Sequence, residues 1–415
     1  MRSCHNGVRR TSTTRANVTK VLFCPFGSAG DLLPSMSVAG MLKERGIEPL
    51  FLCDRLSGLY PRAAGFTTAV IGGPGQSRAL HDNTILTARF QGLESRRRHM
   101  NNYVLPILEM QYPAIVATIA DLGPDLIVGS PLGLWGALAA QELGIPCFQL
   151  HLYPDLLRLL ERDSRSRSWR FSLELALWLE EKEQLLGMIP TSVPIADWGT
   201  MGDAIAVVHD PELITDSSVL PLCIGYPYTD QGLGGDPDEL RNIQRLLIAA
   251  HGPAVVVCLG SFIGLAEVGF WNQLADYFKR SDVTVVCVGV SKESRNLLQS
   301  ANVAATGYLP MSQIAPYADS VIHHGGIGTM YGVLHAGKPA VVLSRAFDQP
   351  YNGAILQDAG AGQHLPHGTV AEACERAVEL AMDEGAKRRA IDIGRSLRPF
   401  DGVARDIAQR ILELA

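Results

Sequence analysis

The residues whose types and spacing best suit chemistry lie between positions 321 and 349. His323 and His324 end a short apolar run, and a glycine-rich loop then leads to Thr329 and a helix-like segment. Glycines between a strand and a helix let backbone N–H groups approach an anion closely, and the helix N-terminus adds partial positive charge there. A histidine at this point can donate to a phosphate oxygen. The pattern therefore predicts a diphosphate site, formed by Gly325, Gly326, Gly328 and their neighbours.

A second polar group follows one predicted strand later. Residues 340–343 form an apolar run, and Asp348 and Gln349 come shortly after it. An acid next to an amide can both accept hydrogen bonds from sugar hydroxyls and donate to them. The predicted ligand is therefore a diphosphate that carries a hydroxylated group.

These pieces together resemble the donor-binding signature of nucleotide-sugar glycosyltransferases with the GT-B fold. The family pattern is His-x-Gly-Gly-x-Gly-Thr, then Ala-Gly-x-Pro, then Asp-Gln, and residues 323–349 contain all three in that order. The resemblance is closest to the bacterial branch that modifies antibiotics and other natural products; rhamnosyltransferases and sterol glucosyltransferases are similar. It implies an α/β protein with two facing, doubly wound, Rossmann-like domains and a cleft between them.

The loop after the first predicted strand, residues 21–26, carries the other half of the resemblance. Residues 27–34 read Gly-Ser-Ala-Gly-Asp-Leu-Leu-Pro and are expected to form a turn before a helix at 35–45. They lack the G-x-G-x-x-G spacing of dinucleotide-binding oxidoreductases. They resemble the Gly-Ser-x-Gly-Asp-x-x-Pro opening of the bacterial glycosyltransferases. Asp31 stands where relatives elsewhere in the superfamily have a histidine, and Ser28 is a candidate acceptor contact.

The reaction implied is an in-line displacement that moves a sugar to an acceptor hydroxyl and inverts the anomeric carbon. Asp31 is the candidate base, accepting the proton as the new C–O bond forms, because a free aspartate is too weak a base to deprotonate an alcohol beforehand. The alternative is that Asp31 caps the following helix. His151, after the predicted strand 146–150, is the rival base and a second candidate acceptor contact. Plant relatives place an aspartate near residues 128–130, which here read Val-Gly-Ser.

In the second half the resemblance assigns the donor contacts. It implies that His323 contacts the diphosphate, whereas His324 either joins it or packs. Tyr308 takes the place of the aromatic residue that stacks on the base, although core packing is an equal alternative. Met311 and Tyr331 replace a glutamine and a ribose-binding glutamate of the plant enzymes, which leaves UDP and dTDP both open. The full predicted donor set is Ser261, Tyr308, Leu309, His323, Gly325, Gly326, Gly328, Thr329, Asp348 and Gln349.

Composition narrows the class of protein. The 415 residues are 47% hydrophobic and 19% charged, with a net charge of -6, so nucleic acid is not an expected partner. No apolar run is long enough to span a bilayer. The eight cysteines are scattered singly, which is typical of reduced thiols in a cytoplasmic protein, and no spacing indicates a zinc site.

Alternating strand and helix patterns predict parallel sheets covered on both faces. The predicted divisions are a disordered basic tail at 1–18, an acceptor-binding domain at 19–228, a linker at 229–238, a nucleotide-sugar-binding domain at 239–398 and a helix at 399–415 that crosses back to the first domain. A transit peptide is the alternative for the tail. Residues 153–188 break the alternation and are expected to cover the acceptor pocket; plain packing or contact with a membrane surface are the less favoured alternatives.

The sequence therefore predicts a metal-independent, inverting glycosyltransferase that uses a UDP- or dTDP-sugar and a small-molecule acceptor. No cofactor is expected, since the nucleotide sugar is a substrate, and the protein is expected to be a monomer or homodimer. A lipid or sterol glycosyltransferase is the nearest alternative. A non-catalytic helper protein of the same fold is the alternative from another class, and a sugar-nucleotide epimerase is less favoured.

Overall fold

The computed structural model describes most of the chain, and every structural statement below concerns the described residues. They are residues 19–25, 29–72, 105–131, 133–152, 202–215, 219–228, 235–260, 268–279, 281–298, 302–345 and 348–414. The predictions for residues 1–18 and 153–188, and for Ser28 and Ser261, lie outside the described residues.

The first half of the chain forms a six-stranded parallel sheet with helices between its strands. Its strands are short runs of apolar residues, most of them buried, as expected when helices cover both faces. The sheet order is β3-β2-β1-β4-β5-β6. The elements are β1 (Lys20–Cys24), α1 (Ala29–Glu44), β2 (Glu48–Asp54), α2 (Leu59–Ala63), β3 (Thr67–Ile71), α3 (Leu105–Leu122), β4 (Leu126–Gly129), α4 (Leu134–Leu143), β5 (Cys147–His151) and β6 (Ala204–Val207).

The second half forms another six-stranded parallel sheet, in the order β12-β11-β10-β7-β8-β9. Its elements are α5 (Pro237–Ile248), β7 (Ala254–Cys258), α6 (Val268–Phe278), β8 (Thr284–Val288), α7 (Lys292–Leu298), β9 (Val303–Ala305), α8 (Met311–Ile314), β10 (Ser320–His323), α9 (Ile327–His335), β11 (Ala340–Val342), α10 (Gln349–Asp358), β12 (Gly362–His364), α11 (Val370–Met382), α12 (Glu384–Ser396) and α13 (Phe400–Leu414).

The two sheets share one strand order. In each, the first strand in sequence lies at the centre, and the chain winds first to one side and then to the other, as in a Rossmann fold. The winding reverses between β1 and β4 in the first sheet and between β7 and β10 in the second, and ligands of such sheets bind at the carboxyl ends of the strands at that point. The predicted fold class is confirmed.

The predicted turn at 27–34 is wrong in its second half. Helix α1 already includes Ala29, so Asp31 lies in the first turn of the helix and Pro34 lies inside it. Glycine and proline are normally read as helix breakers. Here Leu32, Leu33 and Met36 are buried in the core, and their burial offsets the backbone hydrogen bond that Pro34 cannot make.

The two halves meet at a buried junction. The Tyr331 hydroxyl in α9 accepts a hydrogen bond from the backbone N–H of Asp210 at 2.6 Å. The backbone N–H of Arg398 donates to the Asp210 carboxylate at 2.8 Å. The guanidinium of Arg398 donates to the backbone carbonyl of Ile224 at 2.7 Å. The final helix, α13, then packs against α1. Among the described helices, none is both long and apolar enough to cross a membrane.

Candidate active site

A cavity of about 470 Å³ lies between the two sheets, at the carboxyl ends of their central strands. Both halves of the chain contribute to its wall. The lining residues are Ala29, Gly30, Leu33, Tyr60, Tyr228, Cys258, Gly260, Val288, Gly289, Val290, Ser291, Lys292, Arg295, Gly307, Tyr308, Leu309, Met311, His324, Gly326, Ile327, Gly328 and Thr329.

Asp31 directly follows Gly30, a residue that lines this cavity, although Asp31 itself is not among the lining residues. Its side chain is buried, and Ser130 Oγ donates to its Oδ1 at 2.8 Å. Ser130 follows β4, which pairs with β1 in parallel, so the ends of these two strands bring the residues together. A carboxylate in the first turn of a helix is also favoured by the helix dipole. The arrangement holds one carboxylate oxygen in a fixed direction.

His151 ends β5 and is completely buried. Its strand is the neighbour of β4, so it belongs to the same carboxyl edge as Ser130. It is not among the residues that line the cavity. Asp31 does not line the cavity either, but its neighbour Gly30 does, whereas neither sequence neighbour of His151 does. The described geometry therefore places Asp31 nearer to the cavity.

The glycine loop between β10 and α9 approaches the cavity through His324. The His324 ring lies so close to Gly260 and Gly326 that a Cβ atom on either glycine would come within 2.6 Å of it. Gly325 has φ of +90°, a conformation that favours glycine, and a Cβ there would also meet the backbone of Gln349. The glycines thus allow an imidazole to lie in the cradle, in addition to exposing backbone N–H groups.

His323 is the last residue of β10 and is not among the residues that line the cavity. It is completely buried, and its Nδ1 accepts a hydrogen bond from the Gly325 N–H at 3.1 Å. Burial, together with the smaller effect of the neighbouring His324, lowers the pKa of His323 to about 3. The predicted diphosphate contact of His323 remains a prediction, and the described cavity is lined by His324 instead.

His324 is neutral at physiological pH. Burial lowers the pKa of His324, a hydrogen bond to the Cys258 backbone partly offsets this effect, and the resulting pKa is about 4. Its Nδ1 is buried and has no hydrogen-bond partner among the described residues. The positive character of the cradle therefore comes from the first turn of α9, where N–H groups such as that of Gly328 have no partner within the helix.

Asp348 and Gln349 lie at the start of α10, behind the glycine loop. The Asn352 side-chain amide donates to Asp348 Oδ2 at 2.7 Å and to the Gly325 carbonyl at 2.8 Å. Gln349 Oε1 accepts from the Arg345 N–H at 2.8 Å. Neither Asp348 nor Gln349 is among the residues lining the described cavity. Asn352 ties this acid to the loop, and so couples the two predicted parts of the donor site.

Tyr226 brings the two halves of the site together. Its ring is buried, and its hydroxyl would lie 3.0 Å from a Cβ atom on Gly328. Burial raises the pKa of Tyr226 well above its usual value, and the charges of Asp348 and Asp31 raise it further, in that order. The charges of two carboxylates from opposite halves of the chain therefore act on the same buried phenol.

The remaining predicted residues divide between cavity and core. Tyr308 lines the cavity and is 40% exposed, which suits a ring that stacks on a ligand, and Leu309 and Met311 line it as well. Thr329 lines it and hydrogen-bonds the Cys258 thiol. Tyr331 is buried at the junction and packs there, and it is not among the residues that line the cavity.

The sequence did not identify three residues of the site. Ser130 was named only for the lack of an acid, although the parallel pairing of β1 and β4 could have signalled its contact with Asp31. Asn352 lies one helical turn after Asp348, a spacing that could have signalled their hydrogen bond. Nothing local to Tyr226 signals its approach to Gly328. Within the described part of the chain, no cluster of three or more metal-ligating side chains exists.

Comparison with known proteins shows what the chain is similar to in sequence. Residues 273–410 match the family described as erythromycin biosynthesis protein CIII-like, C-terminal domain. The chain is 26% identical over 294 residues to aklavinone 7-beta-L-rhodosaminyltransferase of Streptomyces galilaeus, covering 65% of this chain and 63% of that enzyme. The chain thus spans just under two thirds of the length of this relative.

Two solved structures share the fold over nearly their whole length. The calicheamicin glycosyltransferase CalG4 has a TM-score of 0.69 at 18% identity, covering 96% of this chain and 99% of CalG4. The glycosyltransferase VinC, in complex with dTDP, has a TM-score of 0.64 at 19% identity, covering 95% and 99%. The chain therefore shares the GT-B fold of these glycosyltransferase structures, and its residues 273–410 match the model of the erythromycin biosynthesis protein CIII-like C-terminal domain.

Proposed function

We propose that the protein is an inverting, metal-independent glycosyltransferase that moves a sugar from a UDP- or dTDP-sugar to a hydroxyl group of a small natural product. One observation carries the proposal. Gly30, which precedes Asp31, and the Gly328 loop come from opposite halves of the chain and line the same interdomain cavity. A base and an anion cradle on opposite sides of one cleft are the two parts that such a displacement needs.

Asp31 acts as the base in this mechanism. The acceptor hydroxyl attacks the anomeric carbon and passes its proton to Asp31 as the C–O bond forms. Ser130 holds Oδ1 of the carboxylate, which fixes the direction from which the proton is accepted. A positioned base of this kind contributes typically about 10²- to 10⁴-fold to the rate.

The departing diphosphate takes the electron pair of the broken bond on the opposite face of the sugar. Its negative charge is stabilised by the first turn of α9, with the N–H groups near Gly328 and the hydroxyl of Thr329. Fixed dipoles in a cavity shielded from water stabilise charge strongly, because they need no reorganisation during the reaction. The mechanism therefore calls for no metal ion.

The proposed classes of donor and acceptor are inferred from the similar proteins. VinC was crystallised with dTDP, and the aklavinone relative transfers rhodosamine, which supports a nucleoside diphosphate sugar and a natural-product acceptor here. The Tyr308 ring, exposed in the cavity, supports a base-stacking role at the far end from α9.

The test is a nucleotide-release assay with UDP- and dTDP-sugars against a library of hydroxylated natural products, run with and without EDTA. Release that needs an acceptor and is insensitive to EDTA is the expected result, with an inverted anomeric configuration of the product by NMR. Retention of configuration would contradict the displacement. Binding of nucleotide sugars without turnover on any acceptor would favour a non-catalytic helper.

A further inference from the structure

The cavity runs along the carboxyl edge of four adjacent strands. In the second sheet β10, β7, β8 and β9 are consecutive neighbours, and residues that follow each of them line the wall. At the usual spacing between strands, three intervals span about 14 Å. Since the proposed diphosphate cradle follows β10, a nucleoside diphosphate laid along this edge places its base beyond β8 and β9.

Arg295 stands at that end of the cavity. It lies in α7, the helix between β8 and β9, and its guanidinium covers Gly307, with its nitrogens 3.5 and 3.6 Å from the position of a Cβ atom there. NH1 of the guanidinium forms a salt bridge with Glu239, whose Oε1 is 3.7 Å away, a distance too long for a hydrogen bond. A Cβ atom at position 307 would be in ordinary van der Waals contact with the guanidinium, so the guanidinium packs against the residue that precedes the exposed Tyr308.

The Nε–H of Arg295 has no hydrogen-bond partner within the described part of the chain, although the atom is buried. A buried N–H group without a partner is unfavourable, and such groups in native proteins usually meet a water molecule or a ligand. The guanidinium can only donate hydrogen bonds. A ligand group that meets it must therefore present acceptor atoms.

We propose, on the basis of the proposed function, that Arg295 hydrogen-bonds the nucleobase of the donor. It thereby selects bases that present a carbonyl oxygen on the edge facing α7. Tyr308 supplies the stacking surface, which accepts any base, and Arg295 supplies the discrimination. Uracil and cytosine form the sharpest pair for this role, because they differ where uracil has a carbonyl and cytosine an amino group. An amino group would face the donor-only guanidinium with another donor and leave it unpaired.

The test compares the affinities of UDP and CDP by calorimetry for the full chain and three variants. The wild-type protein is expected to bind UDP at least about 10-fold more tightly than CDP, since a site built to hydrogen-bond one group rejects the analogue that lacks it. Arg295→Met, which keeps the apolar stem, is expected to bring the two affinities within about 3-fold. Arg295→Lys keeps the charge but loses the fork and Nε–H, and is expected to lose the same discrimination.

Lys292→Met is the matched control, because Lys292 also lines the cavity but is exposed. It is expected to weaken UDP and CDP alike and leave their ratio unchanged. A wild-type protein that binds both diphosphates equally, or a ratio that survives in both Arg295 variants, would overturn the assignment of Arg295 and leave the proposed function intact. Failure of every nucleoside diphosphate to bind would overturn both.

Discussion

The ring of Tyr226 stacks on the ring of Tyr331, with centroids 4.9 Å apart and planes inclined by only 6°. Tyr226 comes from the first half of the chain and Tyr331 from α9 in the second, so the pair joins the halves directly behind the glycine loop. The two buried hydroxyls differ. That of Tyr331 accepts from the Asp210 N–H, whereas that of Tyr226 has no hydrogen-bond partner among the described residues.

Replacing each tyrosine by phenylalanine should therefore have different effects on the free energy of unfolding. Tyr331→Phe leaves the Asp210 N–H without its partner and should lower the free energy of unfolding by about 1–3 kcal/mol. Tyr226→Phe removes a hydroxyl that makes no such bond and should leave it unchanged or raise it. Urea denaturation of both variants measures this, and an equal loss in the two would show that the Tyr226 hydroxyl has a partner in solution.

The requirement for glycine at position 328 should come from the nearby Tyr226 hydroxyl and not from the backbone conformation of Gly328. It lies inside α9, where alanine is normally preferred to glycine, but its added Cβ would meet the Tyr226 hydroxyl at 3.0 Å. Gly328→Ala should be destabilising in the wild type and neutral or stabilising in Tyr226→Phe. A double-mutant cycle on the free energy of unfolding measures the coupling. Independent, additive effects would show that the two groups do not touch.

The stability of the fold should depend on pH through His323. Burial lowers its pKa to about 3 from the ordinary 6.5, so below pH 6.5 the unfolded chain binds a proton that the folded chain does not. Stability is therefore fully present above pH 6.5 and is lost as the pH falls toward 3. The contribution of this residue at pH 5 is a loss of roughly 2 kcal/mol relative to pH 7.

His323→Gln should remove that part of the pH dependence, and chemical denaturation at pH 7 and pH 5 measures it. The control is His251→Gln, since His251 is exposed and should leave the difference between the two pH values unchanged. A His323→Gln variant that loses as much stability at pH 5 as the wild type would contradict the neutral, buried state of His323.

Asn352 should matter to donor binding through the loop and the acid that it joins. Asn352→Ala leaves the Gly325 carbonyl and Asp348 Oδ2 without the amide that bridges them. The KM for the nucleotide sugar is expected to rise about 10-fold or more, with the KM for the acceptor nearly unchanged, because hydrogen bonds to charged groups are worth about 1.5–3 kcal/mol. Steady-state kinetics with each substrate varied in turn provides the measurement, and equal rises in both KM values would refute a donor-specific role.

The sheet plan could be predicted from the sequence because parallel strands buried on both faces are continuous apolar runs. The runs at Val21–Cys24 and Ala254–Cys258 are examples, and both became the central strands of their sheets. The short strands were harder to predict from the sequence. Strand β12 is only Gly362–His364 and is half-buried, so it carries neither length nor hydrophobicity as a signal.

The site itself was predictable only where its residues are neighbours in sequence. The glycine loop follows β10 directly and Asp348 comes six residues after the end of β11, so their place at the sheet edge follows from the topology. Tyr226 and Arg295 enter the site by packing between distant segments, and no spacing in the sequence encodes that. The likeness to a signature also emphasised His323, whereas alternation along β10 turns that side chain inward and leaves His324 at the cavity.

The central claim is that Asp31 takes the acceptor proton across the cleft from the diphosphate cradle. The direct measurement is the comparison of nucleotide-sugar affinity and turnover number in the wild type and in Asp31→Asn, which keeps the shape and can still pair with Ser130. The account predicts a turnover number lower by about 10²- to 10⁴-fold, with an unchanged dissociation constant for the nucleotide sugar. Turnover at the wild-type rate in Asp31→Asn would contradict it.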